Sequence, residues 1–141
     1  MAASGNDRVP GRSYPRRVAL RCLIVDDDAR FLRAARSLLE QECVQVVGLA
    51  TTGAEAVRCA TDLHPDVTLV DINLGEESGF EVACRLAGDP HADPGHLILI
   101  SAHTEHDFAD LIAESLAIGF LEKPVLSAAA IERLIPVAPG A

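Results

Sequence analysis

Val67-Thr-Leu-Val-Asp71-Ile-Asn-Leu-Gly-Glu-Glu-Ser-Gly79 is an apolar run that stops at a carboxylate and passes into a glycine-bearing loop. The run reads as a strand, which puts Asp71 at its C-terminal edge. In an open α/β sheet the ligand crevice lies just outside the C-terminal ends of the strands, so a carboxylate there is placed to do chemistry. Taken alone, it could equally do no more than cap a turn. What the neighbouring runs end in decides between the two.

Toward the N-terminus, residues 18–25 form a nearly continuous apolar run broken by Arg21, the pattern of a strand buried on both faces, and it stops at Asp26-Asp27-Asp28. Asp28 is placed to cap a helix that carries Phe31, Ala34, Ala35, Leu38 and Leu39 on one face. Residues 44–50 are a second strand. After Thr51-Thr52-Gly53 comes a helix with Ala56, Val57, Ala60 and Leu63 inward, ended by His64-Pro65.

Toward the C-terminus, residues 79–87 give a short helix with Phe80, Ala83 and Leu86 together, and residues 88–95 are a loop rich in Pro, Gly and Asp. A fourth strand over 97–100 ends in Ser101. A helix over about 105–114 gathers Phe108, Leu111 and Ile112. Gly119-Phe-Leu-Glu-Lys-Pro124 is a short fifth strand stopped by proline, and a last helix over about 127–135 buries Ala130, Ile131 and Leu134. Five strands alternating with five helices predict an α/β, doubly wound fold with a parallel sheet and helices on both faces.

At 141 residues the chain has the length of one domain, and 49% hydrophobic residues argue against disorder. Residues 1–17, rich in Gly, Pro, Ser and Arg, read as a flexible leader, 18–135 as the folded domain and 136–141 as a short tail. No apolar run reaches the length of a membrane span, and the start of the chain lacks the apolar core of a signal peptide, so the expected location is cytoplasmic. Residues 1–21 hold five arginines and one aspartate, whereas the rest holds 20 acids against 7 bases. The folded part should therefore repel nucleic acid. Cys22, Cys43, Cys59 and Cys84 lack zinc spacing and read as reduced, mostly buried thiols. The pairs His91/His96 and His103/His106 read as loop histidines.

In such a sheet the strand ends converge, which gathers Asp26, Asp27, Asp71, Ser101 and Lys123 around one crevice. Three carboxylates packed together repel unless a hard cation sits among them, and an all-oxygen set suits Mg²⁺. Ser101 offers a hydroxyl donor and Lys123 a movable positive charge for a phosphoryl group. Lys123 is the sole lysine, the other eleven basic residues being arginine. That choice favours a compact ammonium on a flexible stem, able to contact a carboxylate and a phosphoryl oxygen together.

The acidic pair in Leu-Ile-Val-Asp26-Asp27, Val-Asp71-Ile-Asn73, Ile-Ser101-Ala102 and Phe120-Leu-Glu-Lys123-Pro124, separated by 44, 30 and 22 residues from Asp27 through Asp71 and Ser101 to Lys123, resemble the response-regulator receiver domains of two-component signalling. The resemblance covers about 18–135. It implies strand order 2-1-3-4-5, Asp71 as phospho-acceptor, Asp27 as a direct Mg²⁺ ligand, Asp26 acting mostly through water and the Asn73 backbone carbonyl as a further ligand. It further implies that Ser101 bonds the phosphoryl group, that Lys123 neutralises it, that Phe120 changes position and that the Lys123–Pro124 bond is cis. The donor would be a sensor histidine kinase or a phosphotransfer protein. Output would pass to an effector or a homodimer partner through the face of the fourth helix, fifth strand and fifth helix. Such a module is a switch more than a turnover enzyme. The chain departs from the family at Gly75, where proline is frequent, and at Glu76 and Glu77, which would add charge and looseness beside an anionic reaction.

Two other readings remain open on the sequence. Asp26-Asp27-Asp28 matches the Asp-x-Asp of a haloacid-dehalogenase-like phosphatase with Asp26 as nucleophile, although Arg30 stands where Thr or Val is expected. The domain could also be an atypical receiver that only binds a partner.

Overall fold

Each apolar run forms a strand in the computed structural model, which describes residues 19–136: β1 (Arg21–Val25), β2 (Gln45–Ala50), β3 (Val67–Asp71), β4 (His96–Ser101) and β5 (Gly119–Glu122). The leader expected over 1–17, and the tail apart from Pro136, lie outside the described residues. Five helices alternate with the strands: α1 (Ala29–Gln41), α2 (Gly53–Leu63), α3 (Gly79–Gly88), α4 (Ala109–Glu114) and α5 (Ala128–Leu134). The strands pair in parallel in the order β2-β1-β3-β4-β5, as expected.

Alternation along the buried strands splits the core in two. Cys22, Ile24, Val67, Leu69, Ile98 and Ile100 face Leu32, Ala35 and Leu39 of α1 and Ile131 of α5. Leu23, Val25, Val70, Leu97 and Leu99 face Ala56 and Ala60 of α2 and Val82, Ala83 and Leu86 of α3. A strand sandwiched in this way must be apolar on both faces, which is why these runs are nearly uninterrupted. Consecutive residues therefore serve opposite layers, and the polar residue that ends each run emerges at the same sheet edge.

Several packing expectations need correction. The buried stripe of α1 is Leu32, Ala35 and Leu39, while Ala34 and Leu38 are exposed; a small rotation trades Ala34 for the larger Leu32. The helix expected over 105–114 divides into a 3-10 turn, Glu105–Phe108, and the six-residue α4, which buries no residue. Leu111 is 51% exposed, so Phe108 and Ile112 alone pack on the core there. Leu134 is half-buried rather than buried, lying against Gly119. Only Cys22 of the four cysteines is fully buried, its thiol pushed up to about 12 by burial, whereas Cys43 and Cys84 are exposed.

The segment after Asp71 is an antiparallel hairpin, Asn73–Leu74 against Glu77–Ser78. Strands of two residues lie below any periodic signal. Gly75 opens its two-residue turn at φ 61°, the left-handed region that glycine enters without penalty. The hairpin delivers the chain to Gly79, whose amide donates to the Ile72 carbonyl at 2.6 Å. A Cβ at Gly79 would overlap the carbonyl oxygen of Asp71, so α3 can start against the end of β3 only because this residue is glycine. Gly79→Ala is expected to lower the unfolding free energy by about 3 kcal/mol, at the upper end of the usual overpacking cost, read from urea denaturation midpoints at unchanged slope.

Candidate functional site

The C-terminal ends of four of the strands open onto a crevice of about 470 Å³ lined by Asp26, Asp27, Asp28, Asp71, Asn73, Gly75, Ser101, Ala102, His103 and Lys123. It holds every residue expected there on the sequence. β1 supplies Asp26, which is fully buried and accepts the Asp28 amide at 2.9 Å through Oδ1, and Asp27, which is exposed at the mouth. Asp28 is otherwise engaged, since its Oδ1 accepts the amides of Arg30 and Phe31 at 3.0 and 3.4 Å and caps α1. That cap gives Asp28 a structural role at the start of α1.

Asp71 is 6% exposed. Its Oδ1 accepts the Asn73 amide at 3.0 Å and its Oδ2 accepts Lys123 Nζ at 3.1 Å. Ser101, at the end of the adjacent strand, is buried, and its Oγ accepts the His103 amide at 3.0 Å, which leaves its O–H proton for another acceptor. Lys123 follows β5 directly. Its ammonium bridges Asp71 and Asp26, with Asp26 Oδ2 at 2.7 Å, and sits 4.4 Å from the centre of the Phe31 ring.

The expected cis Lys123–Pro124 bond is not found: no cis peptide occurs among the described residues. Trans is the intrinsic preference even before proline, and the four-carbon stem carries the ammonium to both carboxylates from that backbone. Phe120 is half-buried on β5, opposite Leu99, and packs with the core on the α2–α3 side of the sheet; it does not line the crevice. The hairpin also corrects the reading of Glu77 as loose charge beside the site. Its Oε1 accepts the Gly53 amide at 2.8 Å and its Oε2 lies 3.7 Å from Arg85, so its charge is spent on α2 and α3.

Sequence reasoning did not anticipate His103 at the crevice or Phe31 beside Lys123. His103 had only its nearness in the chain to Ser101 as a signal. Phe31, one turn beyond the acid pair, meets Lys123 solely through the fold.

Electrostatics at the site follow from crowding. One carboxylate oxygen from each of Asp26, Asp27 and Asp71 lies within 4.8 Å of the others. Burial first, and the charge of Asp26 next among the raising influences, push the Asp71 carboxyl up to about 6 against the lowering pull of the Asn73 amide and Lys123. Burial alone would lower the Lys123 ammonium, but its hydrogen bonds and attraction to Asp26 and Asp71 outweigh this and raise it. One ammonium stands against three carboxylates. Asp26 Oδ2 is buried and meets Lys123 Nζ at 2.7 Å as an ion pair. This all-oxygen, under-neutralised set fits a hard divalent cation of the Mg²⁺ class. Among the described residues no other group of three or more such side chains is placed to hold an ion.

A family model described as Response regulator receiver domain matches residues 22–135. Among curated proteins, the chain is 34% identical over 100 residues to a protein-glutamate methylesterase/protein-glutamine glutaminase of Halobacterium salinarum, a match that covers 70% of this chain and 28% of that protein. The chain thus spans less than a third of that relative's length. It is similar to the signal receiver domain of a modulated diguanylate cyclase from Desulfovibrio desulfuricans, with TM-score 0.67 and 34% identity over 82% of this chain and 90% of that one. A response regulator protein from Burkholderia pseudomallei, solved with a phosphorylated aspartic acid, a calcium ion and citrate, shares the fold with TM-score 0.70 and 21% identity over 82% of this chain and 66% of that one.

Because the folded carboxyl of Asp71 binds its proton more tightly than its ordinary value of 3.8, the native state holds more protons than the unfolded one between about pH 4 and pH 6. Stability should therefore fall as pH rises through that window. In chelator at pH 7, Asp71→Asn is expected to be the more stable protein by about 1 kcal/mol, after allowing for screening through the open crevice. The difference should close below about pH 4 in paired denaturation curves.

Proposed function

Since the chain belongs to the response regulator receiver domain family, we propose that Asp71 is its phospho-acceptor and that the domain is a switch set by that modification. The observation carrying this reading is the ammonium of the sole lysine shared between Asp71 and Asp26 at the mouth of β3. An Asp71 oxygen attacks phosphorus, the bond from phosphorus to the donor's leaving atom breaks, and an acyl phosphate results; water later cleaves it and restores the carboxylate. Lys123 already touches the attacked carboxylate, so it can move onto the phosphoryl oxygens without leaving Asp26. Ser101 donates its free hydroxyl proton to the same group. Asp26, Asp27 and Asp71, with the backbone carbonyl of Asn73, would hold Mg²⁺, which when bound supplies fixed positive charge beside the transferring group. The phosphoaspartate and calcium ion of the Burkholderia pseudomallei regulator, which has the same fold, support the reading.

The proposed receiver unit runs over 18–135, with a leader over 1–17 and a tail over 136–141. A signalling module of this kind takes its phosphoryl group from a histidine kinase, directly or through a phosphotransfer protein. We place it in the cytoplasm, where such donors and Mg²⁺ meet; among the described residues no helix is long and apolar enough to cross a membrane. Output would leave through α4, β5 and α5, toward an effector or a second copy. Phosphorylation draws Ser101 toward Asp71, and Phe120, one strand over and half-buried against the α2–α3 core, fills the space released.

Radiolabelled phosphoryl transfer from a small acyl-phosphate donor should label the wild type in Mg²⁺ and fail in chelator, and Asp71→Ala should carry no label. Retained label on that variant would move the acceptor elsewhere. Asp27→Ala should lose the rise in melting temperature that Mg²⁺ gives the wild type. Phe120→Ala should keep most of its labelling yet lose most of the phosphorylation-dependent gain in partner binding or self-association.

A further inference from the structure

Lys123 Nζ has three N–H bonds and two carboxylate neighbours, Asp26 Oδ2 at 2.7 Å and Asp71 Oδ2 at 3.1 Å. The same ammonium lies over the Phe31 ring, whose centre is 4.4 Å away, well inside the range in which an ammonium is attracted to an aromatic face. The Lys123 side chain is only 17% exposed, so the ring takes a place that water would otherwise hold. Phe31 is itself half-buried, packed against Leu32, Ala35 and their neighbours on the α1 side of the sheet. Its backbone amide is held by Asp28 Oδ1 at 3.4 Å in the cap of α1. Its backbone therefore lies in the first turn of α1, just after the acid pair.

We propose that Phe31 is a positioning residue for phosphoryl transfer: its ring holds the Lys123 ammonium over Asp71. An aromatic face suits this task because it attracts a cation without offering a lone pair that would compete with incoming phosphoryl oxygens. A water in the same place would accept a hydrogen bond, raise the cost of moving the ammonium and let it swing toward Asp26 alone. An aliphatic side chain of similar size would fill the volume but exert no such pull. The inference rests on the reading of Lys123 as the cation of the transfer reaction.

Lysine being unique in this chain, growth on isotopically labelled lysine gives one side-chain spin system from Lys123. In the unphosphorylated wild type its Cε protons should be displaced upfield by the ring current of Phe31, and Phe31→Leu should return them to the position of an exposed lysine. Phe31→Tyr, which keeps the ring, should leave them displaced. In Mg²⁺ with a saturating small acyl-phosphate donor, Phe31→Leu should label about fivefold more slowly, a change of about 1 kcal/mol, within the usual range for such a contact. Its Mg²⁺ affinity should match the wild type, and Phe31→Tyr should recover the rate. If Phe31→Leu does not fold, Phe31→Met serves the same comparison. An undisplaced wild-type resonance, or a Leu or Met variant that labels at the wild-type rate, overturns the proposal. The resonance needs no phosphoryl transfer, so displaced protons in a protein that takes no label would defeat the functional reading and leave the ring contact standing.

Discussion

Mutual repulsion among Asp26, Asp27 and Asp71 is the constraint around which the rest of this molecule is arranged. Two of the three are buried, and their oxygens crowd within 4.8 Å of one another. Such a cluster costs folding free energy unless positive charge reaches it. Lys123 provides one charge from the far side of two strands, and its place is secured by both carboxylates and by an aromatic ring. What one ammonium leaves unneutralised is the attraction available to a divalent cation.

Backbone closeness does the remaining placement. α3 begins against the end of β3 because Gly79 has no side chain, and the hairpin between them keeps Asn73 and Gly75 at the crevice wall. Glu77 ties that hairpin to the first amide of α2 and to Arg85 of α3, so the acids after Asp71 do not all add to the charge of the site. The wall of the crevice is therefore braced by the two helices on one layer, while the ammonium is braced by α1 on the other.

The edge formed by α4 and β5 is built differently. α4 is short, buries no residue and is joined to β4 through a 3-10 turn, and β5 is half-buried throughout. Few buried contacts mean that small free energies can rearrange this edge, whereas β1, β3 and β4, buried through most of their lengths, resist change.

How much was legible in the sequence divides along the range of the interactions involved. Uninterrupted apolar runs ending in Asp26, Asp71 and Ser101 determined the doubly wound sheet and the strand edge at which chemistry gathers, because a strand buried on both faces has to be apolar throughout. Acid pair, acceptor, hydroxyl and lone lysine were readable for the same reason, being the polar ends of those runs. Tertiary structure alone decided the ring of Phe31 beneath Lys123, the trans peptide before Pro124 and the turning of Glu77 toward α2. It also decided which stripe of α1 is buried and how little of α4 is. These depend on distances between segments far apart in the chain, or on contests between partners of similar strength. Periodicity records which face of an element is apolar, but not which neighbour, among several within reach, a side chain will meet.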